Sequence, residues 1–112
     1  MREPALKASI WVKAQLRTCN INMVAAYISR KGDPDAGTIL IRLDRLDGTS
    51  TVLSQVRTAE GTRAWIRSTG ESPVPDAEAE VYIKRQASFD PDIWVLEIED
   101  PNDTYQPDDD IV

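Results

Sequence analysis

Between residues 5 and 19 the apolar and small side chains fall at Ala5, Ala8, Ser9, Val12, Leu16 and Cys19, at spacings of three, four and seven. On a helix these positions span about 100° of arc, so the pattern predicts an amphipathic helix over about residues 4 to 19. Pro4 suits its first position, Glu3 its electropositive end, and Asn20 a left-handed stop. Trp11 lies off the stripe and either widens the buried face or meets a second element.

From Met23 the period changes to two. The runs MVAAYISR, TILIRLDRL, STVLSQVR and TRAWIRS are rich in β-formers and are parted by KGDPDAG, DG and AEG. Asp47-Gly48 predicts a two-residue hairpin, because a type I′ turn needs positive φ at both positions; Ala59-Glu60-Gly61 predicts a three-residue loop with Gly61 left-handed. Pro75 can open a second helix. Its first turn carries Asp76 and Glu78, its inward stripe is Ala79, Tyr82, Ile83, Gln86 and Ala87, and Asp90-Pro91 ends it. Residues 92–99, DIWVLEIE, read as a fifth strand, apolar on both sides at its start and so well covered. The expected fold is α+β: an N-terminal helix, a four-stranded antiparallel meander, a second helix, and a fifth strand joining the sheet.

Turn lengths also set the faces, since a slip of one residue carries every side chain to the other side of a sheet. A turn centred on Asp47-Gly48 places Leu43 opposite Val52, Ile41 opposite Ser54 and Ile39 opposite Val56. The six residues Gly32 to Gly37 bring Ile28 against Ile41 and Ala26 against Leu43, and the third turn adds Ala64 and Ile66 to the same apolar face. The other face then gathers Tyr27, Arg42, Arg57, Arg63, Trp65 and Arg67 beside Leu40, Leu53 and Gln55. Arg57 falls opposite Arg63, a like-charge pair that invites an anionic compensator. Arginines beside an exposed aromatic ring suit phosphate and base contacts, so Tyr27, Arg42, Arg57, Arg63, Trp65 and Arg67 form the candidate binding surface for an anionic ligand, nucleic acid or a protein partner.

Two other readings compete. In one, Glu97, Glu99 or the acidic C-terminus pairs with the arginines and Trp65 packs beneath a helix. In the other, a homodimer buries Leu40, Leu53 and Trp65. A two- or four-residue loop at Glu60-Gly61 would turn the fourth strand over and send Trp65 into the core.

Charge and composition narrow the picture. The 112 residues are 41% hydrophobic and 29% charged, the range of one globular domain. The net charge of −6 is concentrated at the C-terminus, where residues 100–112 hold five acids and no base; the body has fourteen acids against thirteen bases. The division expected is a single domain over residues 1–99 and an acidic, frayed tail over 100–112. No run approaches a membrane span and the N-terminus lacks a secretory pattern, so a soluble cytoplasmic protein with no membrane partner is expected.

Candidate chemistry is sparse. Histidine is absent, which removes Ser-His-Asp and Cys-His catalysis and histidine metal sites. The one cysteine, Cys19, allows no internal disulfide and reads as a small buried side chain. No phosphate loop, nucleophile elbow or dinucleotide fingerprint occurs, so no catalytic residue and no cofactor is assigned. Asp33 and Asp35 are a candidate site for Mg²⁺ or Ca²⁺, and with it a metal-assisted enzyme, yet no later bidentate glutamate completes a calcium loop. As turn formers they explain more: Pro34 presets φ, Asp33 accepts from a following amide, and Gly37 permits a left-handed exit.

The stretches LKASIWVKAQLR, RKGDPDAGTILIRL, VLSQV, GTRAWIR and YIKRQASFDPDIWVLEIED resemble a family of short alphaproteobacterial proteins, the DUF1491 domain of unknown function, over residues 4 to 101. GDPDAG and DPDIWVLEIED carry the resemblance most specifically. It implies a cytoplasmic bacterial protein of one small α+β domain, and no activity or functional residues.

Overall fold

The computed structural model describes residues 7–107, 109, 111 and 112. Two helices, α1 (Ala8–Ile21) and α2 (Asp76–Phe89), flank a six-stranded sheet. Its strands are β1 (Ala26–Arg30), β2 (Ile39–Asp44), β3 (Thr49–Arg57), β4 (Arg63–Arg67), β5 (Val74–Pro75) and β6 (Trp94–Glu99). The fold is α+β as the pattern predicts, but the sheet is mixed. Its order is β1-β6-β2-β3-β4 with β5 beside β3, and β6 runs parallel to β2.

β6 lies between β1 and β2, which therefore do not form the expected hairpin. The rows of side chains were nonetheless legible: Ala26 pairs with Ile98, which pairs with Leu43, and Ile28 pairs with Leu96, which pairs with Ile41. Each expected contact is kept with one residue of β6 inserted. Strands lie about 4.8 Å apart, so the connection between β1 and β2 must bridge two spacings. It does so over the start of β6, where Asp33 N–H donates to Asp92 O at 2.9 Å and Trp94 N–H to Thr38 O at 2.8 Å. The Trp94 indole N–H donates to Asp33 O at 2.7 Å.

The β2–β3 turn is the second departure. Its loop has three residues, Leu46 to Gly48, closed by Arg45 N–H to Thr49 O at 3.0 Å. Asp44 Oδ1 accepts from Leu46 N–H at 2.9 Å, Asp47 Oδ1 from Thr49 N–H at 3.0 Å, and Leu46 takes the left-handed φ of 62°. Leu43 therefore pairs with Thr51 and Ile41 with Leu53, one residue from expectation. The β3–β4 loop is as predicted, with Arg57 opposite Arg63 and Gly61 at φ 82°.

That single slip decides both cores. Ile39, Ile41, Leu43, Leu53, Trp65, Trp94, Leu96 and Ile98 face α1 and pack on Ala8, Trp11, Val12 and Cys19. Leu40, Val52 and Val95 face α2 and pack on Ala79, with Tyr82, Ile83 and Ala87 at the margin. The result is a helix–sheet–helix sandwich with β6 buried on both faces. α1 ends later than expected, with the left-handed residue at Met23 (φ 60°) rather than Asn20; Glu3, Pro4 and Ala5 lie outside the described residues. α2 begins after Pro75 and ends before Asp90, as its sequence signals predict.

Candidate binding edge at β4

The six candidate binding residues do not share a face. Tyr27 and Arg42 stand on the α2 side, whereas Arg57, Arg63, Trp65 and Arg67 stand on the α1 side. Arg42 is consumed internally: Nη1 meets Glu97 Oε1 at 2.8 Å, Nη2 meets Asp76 Oδ1 at 3.1 Å, and Nε donates to Ser50 Oγ at 3.1 Å. Burial opposes its charge, but Glu97 and Asp76 outweigh burial and hold the guanidinium more firmly protonated than usual. This network joins α2 to β2, β3 and β6. Tyr27, 58% exposed, stands at the β1 edge beside Glu97.

Trp65 is fully buried, stacked on Trp11 with ring centroids 5.2 Å apart. It packs beneath a helix, for the reason that the slip at β2–β3 turned β3 and β4 over together. Arg63 lies over the outer face of this pair, 5.6 Å from the Trp11 ring. Burial pushes the Arg63 guanidinium down, Asp109 pulls it back up, and Arg57 across the ladder lowers it again. Arg57 turns aside to donate to Gly61 O at 3.0 Å, and Arg67 is exposed at the end of the strand. Two buried donors on β4, Arg63 Nε and Trp65 Nε1, have no acceptor among the described residues.

β4 closes one end of the main strand order, and part of its outer edge is taken by the chain itself. Ile111 forms a single parallel bridge with Trp65, and Val112 N–H donates to Trp65 O at 2.7 Å. The route there begins at Asp100, which is buried and held by Arg45 at 2.8 Å, with its Oδ1 accepting from Thr104 N–H at 2.9 Å. Tyr105 then packs on the α1-side core and donates its hydroxyl to Gln15 Oε1 at 2.9 Å. Asp100, Tyr105, Ile111 and Val112, within the segment expected to fray, thus contact the body; Asp108 and Asp110 lie outside the described residues. Sequence signals for this existed. Gln15 sits at helical spacing among Ala8, Trp11, Val12 and Cys19, a polar residue in a buried stripe that needs a partner. Ile111 and Val112 are the sole aliphatic residues after Ile98.

The acidic loop is a clamp. Asp33 Oδ2 accepts from Asp35 N–H at 3.1 Å and Ala36 N–H at 2.8 Å, the predicted turn role. Pro34 O accepts from Ser9 N–H at 3.0 Å, at the start of α1, and Asp35 pairs with Lys7 at 3.5 Å. Among the described residues no three Cys, Asp or Glu side chains converge as metal ligands. Gly37 is explained by close approach, not by left-handed φ: a Cβ there would lie 2.5 Å from Asp92 O and 2.7 Å from Trp94 Cδ1. Gly32 packs against the same atoms.

At the other end of the sheet an open cleft of about 680 Å³ lies between the α1 C-terminus, Leu46 and residues Glu99 to Gln106. Cys19 is on its floor, and burial pushes that thiol up, away from the nucleophilic thiolate.

Fold and site together define a small α+β domain whose β4 edge is bridged by the chain's own Ile111. The family described as a protein of unknown function, DUF1491, matches residues 6–106, and the chain belongs to it. The crystal structure of a DUF1491 family protein from Caulobacter crescentus CB15 is 32% identical, covers 96% of this chain and 100% of its own, and superposes with a TM-score of 0.85. An NMR structure of a DUF1491 family protein from the same organism gives 32% identity, 98% and 99% coverage and a TM-score of 0.83. The solution structure of Atu0922 from A. tumefaciens is 25% identical over 85% of this chain and 86% of its own, with a TM-score of 0.73. No curated protein matches the chain.

Proposed function

We propose that the chain is a non-enzymatic interaction module whose β4 edge takes an extended, anionic segment of a protein partner. The observation that carries this reading is the seating of the chain's own Ile111 and Val112 against Trp65, next to the Arg57–Arg63 pair. Strand addition to an open edge supplies affinity through backbone hydrogen bonds, and side-chain pockets supply selectivity. Here the selectivity comes from charge. Among the described residues Arg57, Arg63 and Arg67 form no salt bridge, and the unpaired Nε donor of Arg63 favours an acceptor-rich segment.

A protein segment is favoured over nucleic acid because the aromatic ring of this edge, Trp65, is fully buried and offers no face on which a base could stack. The absence of histidine and the buried state of Cys19 support a binding role over catalysis. A single cysteine also suits action in the cytoplasm, where thiols stay reduced.

The test is fluorescence anisotropy with the full chain at low ionic strength. One arm uses a labelled peptide of sequence DTYQPDDDIV up to millimolar protein, the other a single-stranded oligonucleotide. The expected result is saturable peptide binding that weakens with salt, and no oligonucleotide binding. Binding of the oligonucleotide alone, or of neither, contradicts the proposal.

A further inference from the structure

We infer that the C-terminal residues are a displaceable occupant of the β4 edge, so that the chain regulates its own binding site by competition in cis. The inference rests on the proposed function above and adds the device that controls it.

The segment after β6 has two parts held very differently. Its stem is fixed by Arg45, which bonds Asp100 Oδ2 at 2.8 Å, Asp100 O at 2.8 Å and Asp103 Oδ1 at 3.0 Å, and by the Tyr105–Gln15 hydrogen bond at 2.9 Å. Among its described residues the tip has one backbone hydrogen bond, from Val112 N–H to Trp65 O, and one bridging residue, Ile111, which also packs on the margin of the α1-side core. By contrast, the opposite edge of β4 pairs with β3 through five residues, from Arg63 to Arg67. A stem that is fixed holds the tip near the edge at high effective concentration, while the few contacts of the tip keep it exchangeable.

Charge sets what can replace it. Asp109 offsets the burial of Arg63, so the tip supplies an acidic residue followed by an aliphatic pair. A partner segment of the same chemistry competes for the same atoms, and one that pairs along the whole strand adds backbone hydrogen bonds to the one made by Val112. An edge that is occupied in cis is also protected from indiscriminate strand pairing, a hazard of exposed edges. Apparent affinity for the partner is lowered by the fraction of time the edge is open.

Two full-length variants release the tip. Val112→Pro removes the N–H that Trp65 O accepts, and Ile111→Ser removes the aliphatic side chain. The labelled DTYQPDDDIV peptide and a version with its three consecutive aspartates changed to asparagine are titrated into each variant and into the unsubstituted chain. With a tip closed about nine-tenths of the time, both variants bind the acidic peptide roughly tenfold tighter than the unsubstituted chain, and the asparagine peptide binds more weakly to all three. Equal acidic-peptide affinity for the variants and the unsubstituted chain overturns cis competition and leaves the binding edge standing. No peptide binding by any of the three removes the binding edge and this inference with it.

Discussion

Gly37 shows how a residue can be read correctly and for the wrong reason. The sequence marks it as part of a turn, but its backbone is not left-handed; its hydrogen is needed because Asp92 O and the Trp94 ring occupy the space of a side chain. Such proximity joins residues 55 positions apart in sequence or more, and no local pattern carries it. Gly37→Ala is expected to lower stability by about 1–3 kcal/mol through overpacking. Thermal melting checks this, and an unchanged midpoint contradicts the clamp. Cys19 was read correctly as a buried side chain. Since burial raises its folded-state pKa above the unfolded value, its contribution to stability is complete below the unfolded pKa and is lost as pH rises through the folded one. Because Cys19 is buried and its thiolate disfavoured, a disulfide-exchange reagent at neutral pH should label it well below the rate of a free thiol, and labelling at that rate contradicts this.

At the scale of elements, helix and strand positions were legible because each rests on a period and on end signals carried by neighbouring residues. The register of β2 on β3 was not. DG marks a turn but does not say which residues are at its centre, and the hydrogen bonds of Asp44 and Asp47 to the following backbone settle on a three-residue loop. That one residue moved Trp65 from a surface to the core. Trp65→Ala should cost about 3–5 kcal/mol as a cavity mutation, measured by denaturant unfolding; a loss below about 1 kcal/mol contradicts its packing against Trp11. The same loop holds Leu46 in a left-handed conformation while 57% exposed. Leu46→Asn is therefore expected to raise stability by up to about 1 kcal/mol, since asparagine tolerates that conformation and little burial is lost. A lowered melting temperature contradicts it.

For the whole molecule, the insertion of β6 between β1 and β2 was half legible. Its two apolar faces announced a covered strand, while its position was hidden because Ile28 and Ile41 lie on one row whether or not Leu96 separates them. The buried Arg42–Glu97 pair then ties β2 to β6 across 55 positions of sequence, and Arg42–Asp76 adds α2. Arg42→Ala leaves Glu97, 9% exposed, without its partner and should cost about 3–5 kcal/mol, much of which Arg42→Met with Glu97→Leu recovers. Equal losses for the single and double changes contradict the pair's role. The candidate residues were legible only as a set of arginines in search of a negative charge, whereas the return of Ile111 and Val112 to β4 was not, because it joins residues far apart in sequence.

The most direct test of this account is to map, residue by residue, where the acidic peptide binds. In a ¹⁵N-labelled Val112→Pro chain titrated with DTYQPDDDIV, the account predicts amide shift changes concentrated on Arg63 to Arg67 and the facing part of β3. Changes concentrated instead at the cleft around Met23, Leu46 and Tyr105, with β4 undisturbed, would contradict it.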